Sequence, residues 1–120
     1  MIAMRAKYFD VRVTPTADRR TAILAIAGEL DLGTAEELWP HLARLLGGGA
    51  APAVLVLDGT ALEFLDSSGL RVLLRAAKLA QGTGTALRIV APDPVVARVL
   101  ELSGAARALD LRPSLTEAFA

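Results

Sequence analysis

The run Val54-Leu55-Val56-Leu57 most narrows what this chain can fold into. It stands between Pro52 and the turn-forming pair Asp58-Gly59. Too short for a helix and without a polar face, it fits a strand covered on both sides, as in the sheets of α/β proteins. The preceding residues also read as strands. In residues 9–14, Phe9, Val11 and Val13 alternate with Asp10, Arg12 and Thr14, the period of a half-buried strand. Pro15-Thr16-Ala17-Asp18 reads as a turn. Residues 21–27 form a second strand, punctuated by Gly28, and the two strands are expected to pair as an antiparallel hairpin.

Helical spacing then alternates with short apolar runs. Thr34-Ala35-Glu36-Glu37 has the capping-box pattern, so Thr34 is expected to open the first helix. Leu38, Leu42, Leu45 and Leu46 give that helix an inward stripe, and Gly47-Gly48-Gly49 ends it. Pro40 lacks an amide donor and is expected to kink the helix or shift its start. A second helix is expected over 68–81, with Leu70, Leu73, Leu74 and Ala77 inward and Arg71, Arg75 and Lys78 on the opposite face. Residues 87–90 read as a strand. Asp93-Pro94 opens a third helix, as N-cap and first helical residue, with Val96, Val99, Leu100 and Ser103 on one face. Gly104 is the natural left-handed stop. A short strand over 109–111 and a helix opened by the capping box Ser114-Leu115-Thr116-Glu117 complete the chain. The order β-β-α-β-α-β-α-β-α predicts an α/β fold, a mixed and mainly parallel sheet covered by helices. One domain is expected over 1–120, with residues 1–6 flexible.

Composition excludes several function classes. Thirteen basic and 13 acidic residues leave zero net charge, which does not suit a nucleic-acid binder. Aromatic residues are 4 %, too few for a base-stacking platform. With no cysteine and one histidine, His41, neither disulfides nor a metal site is expected, and no cofactor is called for. Residues 1–6 are too short and too weakly apolar for a signal peptide, and no apolar run approaches the roughly 20 residues of a membrane-spanning helix. The expected location is the cytoplasm, without membrane insertion.

The segment richest in chemistry is Phe64-Leu65-Asp66-Ser67-Ser68-Gly69-Leu70, after the buried strand and at the start of the second helix. Asp66, Ser67 and Ser68 all suit an N-cap, and Gly69 keeps the backbone accessible. A hydroxyl there sits at the positive end of the helix dipole. A phosphate on Ser67 would carry roughly −1.5 to −2 charges at neutral pH, which a helix N-terminus accommodates. A protein docked on the same spot would meet a bulky dianion, so phosphorylation would change the surface and spare the core. The same tetrapeptide also serves as a plain helix cap. Gly28-Glu29-Leu30-Asp31 with Thr34 is the second segment of interest. Loops after successive parallel strands gather at one sheet edge, which would bring Asp31 to Ser67.

Gly28-Glu29-Leu30-Asp31 with Thr34, Leu57-Asp58, Phe64-Leu65-Asp66-Ser67-Ser68-Gly69-Leu70 and Leu102-Ser103-Gly104 together resemble the STAS domain of bacterial anti-sigma-factor antagonists. The resemblance covers residues 9–119. It implies a protein that is not an enzyme, whose unmodified form captures an anti-sigma factor and so frees a sigma factor for transcription. It implies two partners: an anti-sigma factor that is also a serine kinase of the GHKL type, and a PP2C-type phosphatase. The serine directly after the aspartate is the phosphorylated one, here Ser67, with Ser68 the neighbouring acceptor. The implied partner-binding set is Glu29, Asp31, Thr34, Asp66, Ser67, Ser68, Gly69, Leu70 and Arg71. Arg71 replaces a small glycine common in the family; with Arg75 and Lys78 it forms either a solvated face or a charged contact that selects the partner. Trp39 reads as a packing residue. STAS domains also serve as accessory subunits in lipid-transport complexes and stress-sensing assemblies, the alternative reading.

An enzyme would need a base for Ser67, and His41 lies on another helix. Gly47-Gly48-Gly49 lacks the Lys-Ser/Thr of a phosphate loop, and there is no Gly-x-Ser-x-Gly elbow.

Overall fold

The computed structural model describes residues 8–16 and 20–119. Residues 1–6, and Ala17 and Asp18 of the expected turn, lie outside the described residues. Five strands form one sheet in the order β1-β2-β3-β4-β5: β1 (Phe9–Pro15), β2 (Thr21–Leu30), β3 (Val54–Leu65), β4 (Ala86–Val90) and β5 (Leu111–Arg112). β1 and β2 form the expected antiparallel hairpin, and the remaining neighbours pair in parallel. The helices are α1 (Leu32–Gly47), α2 (Ser67–Thr83), α3 (Pro94–Leu102), α4 (Ala105–Ala108) and α5 (Leu115–Ala118). The four-residue α4 is additional to the expected order.

The central run behaves as its composition requires. Leu55 and Leu57 join the main core with Leu24, Ile26, Leu38, Leu42, Leu73 and Ile89, while Val56 points to the other face, against Val90 and Ala118 of α5. Each fully buried leucine contributes roughly 1.5–3 kcal/mol. β3 does not stop at Asp58-Gly59, however. It continues to Leu65, with register shifts against β2 on either side of the Ala27–Gly28 pairings. Asp58 Oδ1 accepts hydrogen bonds from the amide and hydroxyl of Thr60, so the turn chemistry is spent on a local irregularity inside a longer strand. β2 likewise runs past Gly28, whose φ of 95° and whose approach to the Tyr8 carbonyl both exclude a side chain.

Two helix readings are corrected. α1 begins at Leu32 with Asp31 as N-cap; Thr34 is the third helical residue. Its hydroxyl accepts from the Asp31 amide at 2.8 Å and donates to the Glu29 carbonyl at 2.7 Å, a bond that fixes Thr34 to the end of β2. The helix continues through Pro40, which lies on its exposed side. In α2 the buried residues are Gly69, Val72, Leu73, Ala76 and Ala80, whereas Leu70 and Ala77 are half-buried and Leu74 is exposed. The inward face is therefore rotated from the expected one. Gly69 lies on that buried face, and its lack of a side chain lets the first turn of α2 close onto Leu30 of β2.

The third helix follows its signals, with Asp93 capping the Val95 and Val96 amides and Gly104 in the left-handed region. Ser103 is its exposed C-cap rather than a core residue. Leu109 is a buried C-cap of α4, so β5 starts two residues later than expected. Ser114 caps α5 through the Glu117 amide.

Candidate functional site

The last residues of two neighbouring parallel strands, Leu30 and Leu65, are in register. The Asp66 amide donates to the Leu30 carbonyl at 3.2 Å. An aspartate and a helix follow each strand at once, so α1 and α2 start side by side. Asp31 Oδ1 accepts from the Thr34 amide at 3.2 Å. Asp66 Oδ1 accepts from the Ser68 and Gly69 amides at 2.9 and 3.0 Å. Each helix N-terminus thus has a carboxylate satisfying amides that lack an intrahelical partner.

With Asp66 as the cap, Ser67 becomes the first residue of α2. Its side chain is exposed and makes no hydrogen bond among the described residues. Ser68 is half-buried. Gly69 is buried for a reason other than backbone access. A Cβ there would stand 2.5 Å from the Leu30 carbonyl oxygen and 2.8 Å from both Leu30 Cγ and Leu65 Cδ1.

The strand ends bring Glu29, Asp31, Thr34, Asp66, Ser67, Ser68, Gly69, Leu70 and Arg71 to one edge of the sheet, but not into one role. Asp31 and Thr34 are each only 6 % exposed and engage one another. They set where α1 begins. Glu29 and Leu70 are half-buried, and Ser67 and Arg71 face solvent. The sequence reading missed two exposed apolar side chains at this end of the sheet: Leu32, the first residue of α1 and 68 % exposed, and Phe64, next to last in β3 and 41 % exposed. Phe64 was visible within the motif; Leu32 was hidden because the helix start was placed after it.

Trp39 is half-buried against the core. The Arg75 guanidinium lies over its ring, 3.9 Å from the centroid. This pair lines a 320 Å³ groove between α1 and α2, together with Ser68 and Arg71. His41 is half-buried on α1. Among the described residues, no cluster of carboxylates or histidine could hold a metal ion. No helix among them is long and apolar enough to cross a membrane.

A family model for the STAS domain matches residues 8–118. The chain belongs to the STAS domain family. Rv2638 of Mycobacterium tuberculosis, named as a candidate anti-anti-sigma factor, is 31 % identical over 109 residues, covering 90 % of this chain and 73 % of that protein. The anti-sigma-F factor antagonist RsfB of the same species is 32 % identical over 109 residues, covering 91 % of this chain and 87 % of its own. Among solved structures, an anti-sigma factor antagonist from Mycobacterium paratuberculosis aligns with a TM-score of 0.80 at 28 % identity, over 93 % of this chain and 92 % of that one.

Proposed function

We propose that this STAS protein is an anti-sigma-factor antagonist that acts in the cytoplasm and is switched by phosphorylation of Ser67. The unmodified form binds an anti-sigma factor through the surface around Ser67, including Leu32, Phe64 and Arg71, and so releases a sigma factor. The anti-sigma factor is itself a GHKL-type serine kinase, and a PP2C-type phosphatase restores the binding form. The names borne by RsfB and Rv2638 support the antagonist role.

The observation that carries the switch is the division of labour between Asp66 and Ser67. The cap is made by Asp66, so the neighbouring hydroxyl is spare. A phosphate can be added to it without removing a bond that holds the fold, and at the helix N-terminus its charge is accommodated. Exposed apolar groups at the same end of the sheet, Leu32 and Phe64, would instead be buried when a partner docks there, and a hydrated dianion at that surface opposes such burial.

The test is incubation with the anti-sigma kinases of the same genome and ATP, followed by mass spectrometry of the peptide containing Ser67. Incorporation of one phosphate at Ser67, with loss of complex on gel filtration, is the expected result. A chain that none of these kinases modifies at Ser67 removes the switch, and one that binds no anti-sigma factor removes the antagonist role.

A further inference from the structure

The groove between α1 and α2 has a chemical character that the exposed serine does not explain. Ala35 and Val72 are buried along it, and Leu32 and Trp39 supply further apolar surface. Arg71 and Arg75 stand one helical turn apart on its α2 side, with Glu36 on the α1 side. Among the described residues neither arginine has a carboxylate within ion-pairing distance, and neither donates a hydrogen bond. Arg75 nevertheless has a neighbour, its guanidinium carbon lying over the Trp39 ring, 3.9 Å from the centroid. An aromatic ring accepts no N–H···O bond, so a guanidinium placed over one still has donors to offer a carboxylate.

At 320 Å³ the groove is at the small end of ligand-sized cavities, room for one or two side chains rather than a cofactor. Two guanidinium groups against one carboxylate leave a positive surplus on its rim, and an apolar floor asks for an apolar anchor. Glu36 argues against a phosphate dianion as the occupant. We propose that this groove receives an apolar residue followed directly by Glu or Asp, presented by the anti-sigma factor, with the apolar side chain on the floor and the carboxylate bridging Arg71 and Arg75. The inference rests on the antagonist reading for the identity of the partner, but the chemistry of the groove is testable without it. The groove continues to Ser68, so an occupant seated there lies against the residue that follows the modified serine.

The probes are N-acetyl-Leu-Glu-amide and N-acetyl-Leu-Gln-amide, titrated into the ¹⁵N-labelled full chain while the Trp39 indole N–H and the arginine Nε–H signals are followed. The Glu peptide should shift Trp39, Arg71 and Arg75, and the Gln peptide should bind at least about fivefold more weakly, because it lacks the charged acceptor. In Arg71→Ala/Arg75→Ala the two peptides should become equal. Equal shifts from both peptides on the wild-type chain, shifts elsewhere, or none at about 10 mM would overturn the proposal. A second arm uses the anti-sigma factor that wild type binds. Arg75→Lys keeps a cation over Trp39 but loses the planar fork, and should weaken that complex about tenfold with an unchanged melting curve. Unchanged affinity of both Arg75→Lys and the double alanine variant would also overturn it. Should wild type bind no anti-sigma factor while the Glu peptide behaves as expected, the antagonist reading fails and the acid-selective groove stands.

Discussion

Gly69 and Leu30 meet so closely that a methyl group on Gly69 would stand 2.5 Å from the Leu30 carbonyl oxygen. That oxygen is also the acceptor for the Asp66 amide, so the contact ties the first turn of α2 to the end of β2. Gly69→Ala must therefore push backbone against backbone. Overpacking of this kind costs about 1–3 kcal/mol, although alanine is the better helix former. Thermal unfolding should show Gly69→Ala clearly less stable than wild type; equal or raised stability would mean that the helix start can slide away from the sheet.

Asp66 and Ser67 should separate stability from signalling. Asp66→Ala removes the acceptor for two amides and should cost about 1 kcal/mol. Ser67→Ala removes a hydroxyl that makes no hydrogen bond among the described residues and should leave the denaturation midpoint within error, while abolishing phosphate incorporation. Ser67→Asp should keep the midpoint but weaken the anti-sigma complex, read by calorimetry. A marked loss of folding in either Ser67 variant would contradict the division between cap and switch.

The Asp31–Thr34 pair makes a different forecast. Both side chains are buried and bonded to one another's backbone, so Asp31→Ala and Thr34→Ala should each destabilise by about 1 kcal/mol. Because they share one capping box, the double variant should lose less than the sum of the two. Additive losses in urea titrations would show that the residues act independently.

A pH-dependent contribution sits at the far end of the sheet. Arg112 donates to both oxygens of Asp110, at 2.8 and 3.0 Å. That hydrogen bonding holds the Asp110 carboxyl below its ordinary value, opposed by partial burial and helped by the charges of Arg112 and Arg88. A lowered folded-state pKa adds stability above the unfolded value of about 3.9 and loses it as pH falls through the folded value. Wild type should thus melt above Asp110→Asn at pH 7, and the gap should close below about pH 4. The carboxylate is 47 % exposed, so solvent keeps the effect small. A gap that persists at pH 2.5 would assign it to packing.

Local signals read well where chemistry and period agreed. Asp93-Pro94 placed α3, alternation placed β1, and the unbroken Val54–Leu57 run placed the doubly covered centre of the sheet. The start of α1 was placed late because Thr34 to Glu37 looks like a cap, whereas Asp31 is the one that caps. The bond from Thr34 to Glu29, made once β2 has ended, is not visible in the local pattern. The α2 face was misread for a similar reason: a glycine carries no hydrophobic weight in a periodicity argument, yet here it is the point of closest approach. The Trp39–Arg75 stack joins residues on different helices, and no local pattern announces it. The motif residues named for the site do gather at one edge of the sheet, but which of them are buried depended on the packing of both helix starts.

The alignment of Leu30 with Leu65 has an electrostatic corollary. Two adjacent helix starts, each capped by an aspartate, direct peptide dipoles toward the place where the serine stands. Tolerance of an added anion is then written into the main chain, which amino-acid replacement scarcely touches. Side chains around it can differ without removing the peptide dipoles that a phosphate on Ser67 would meet.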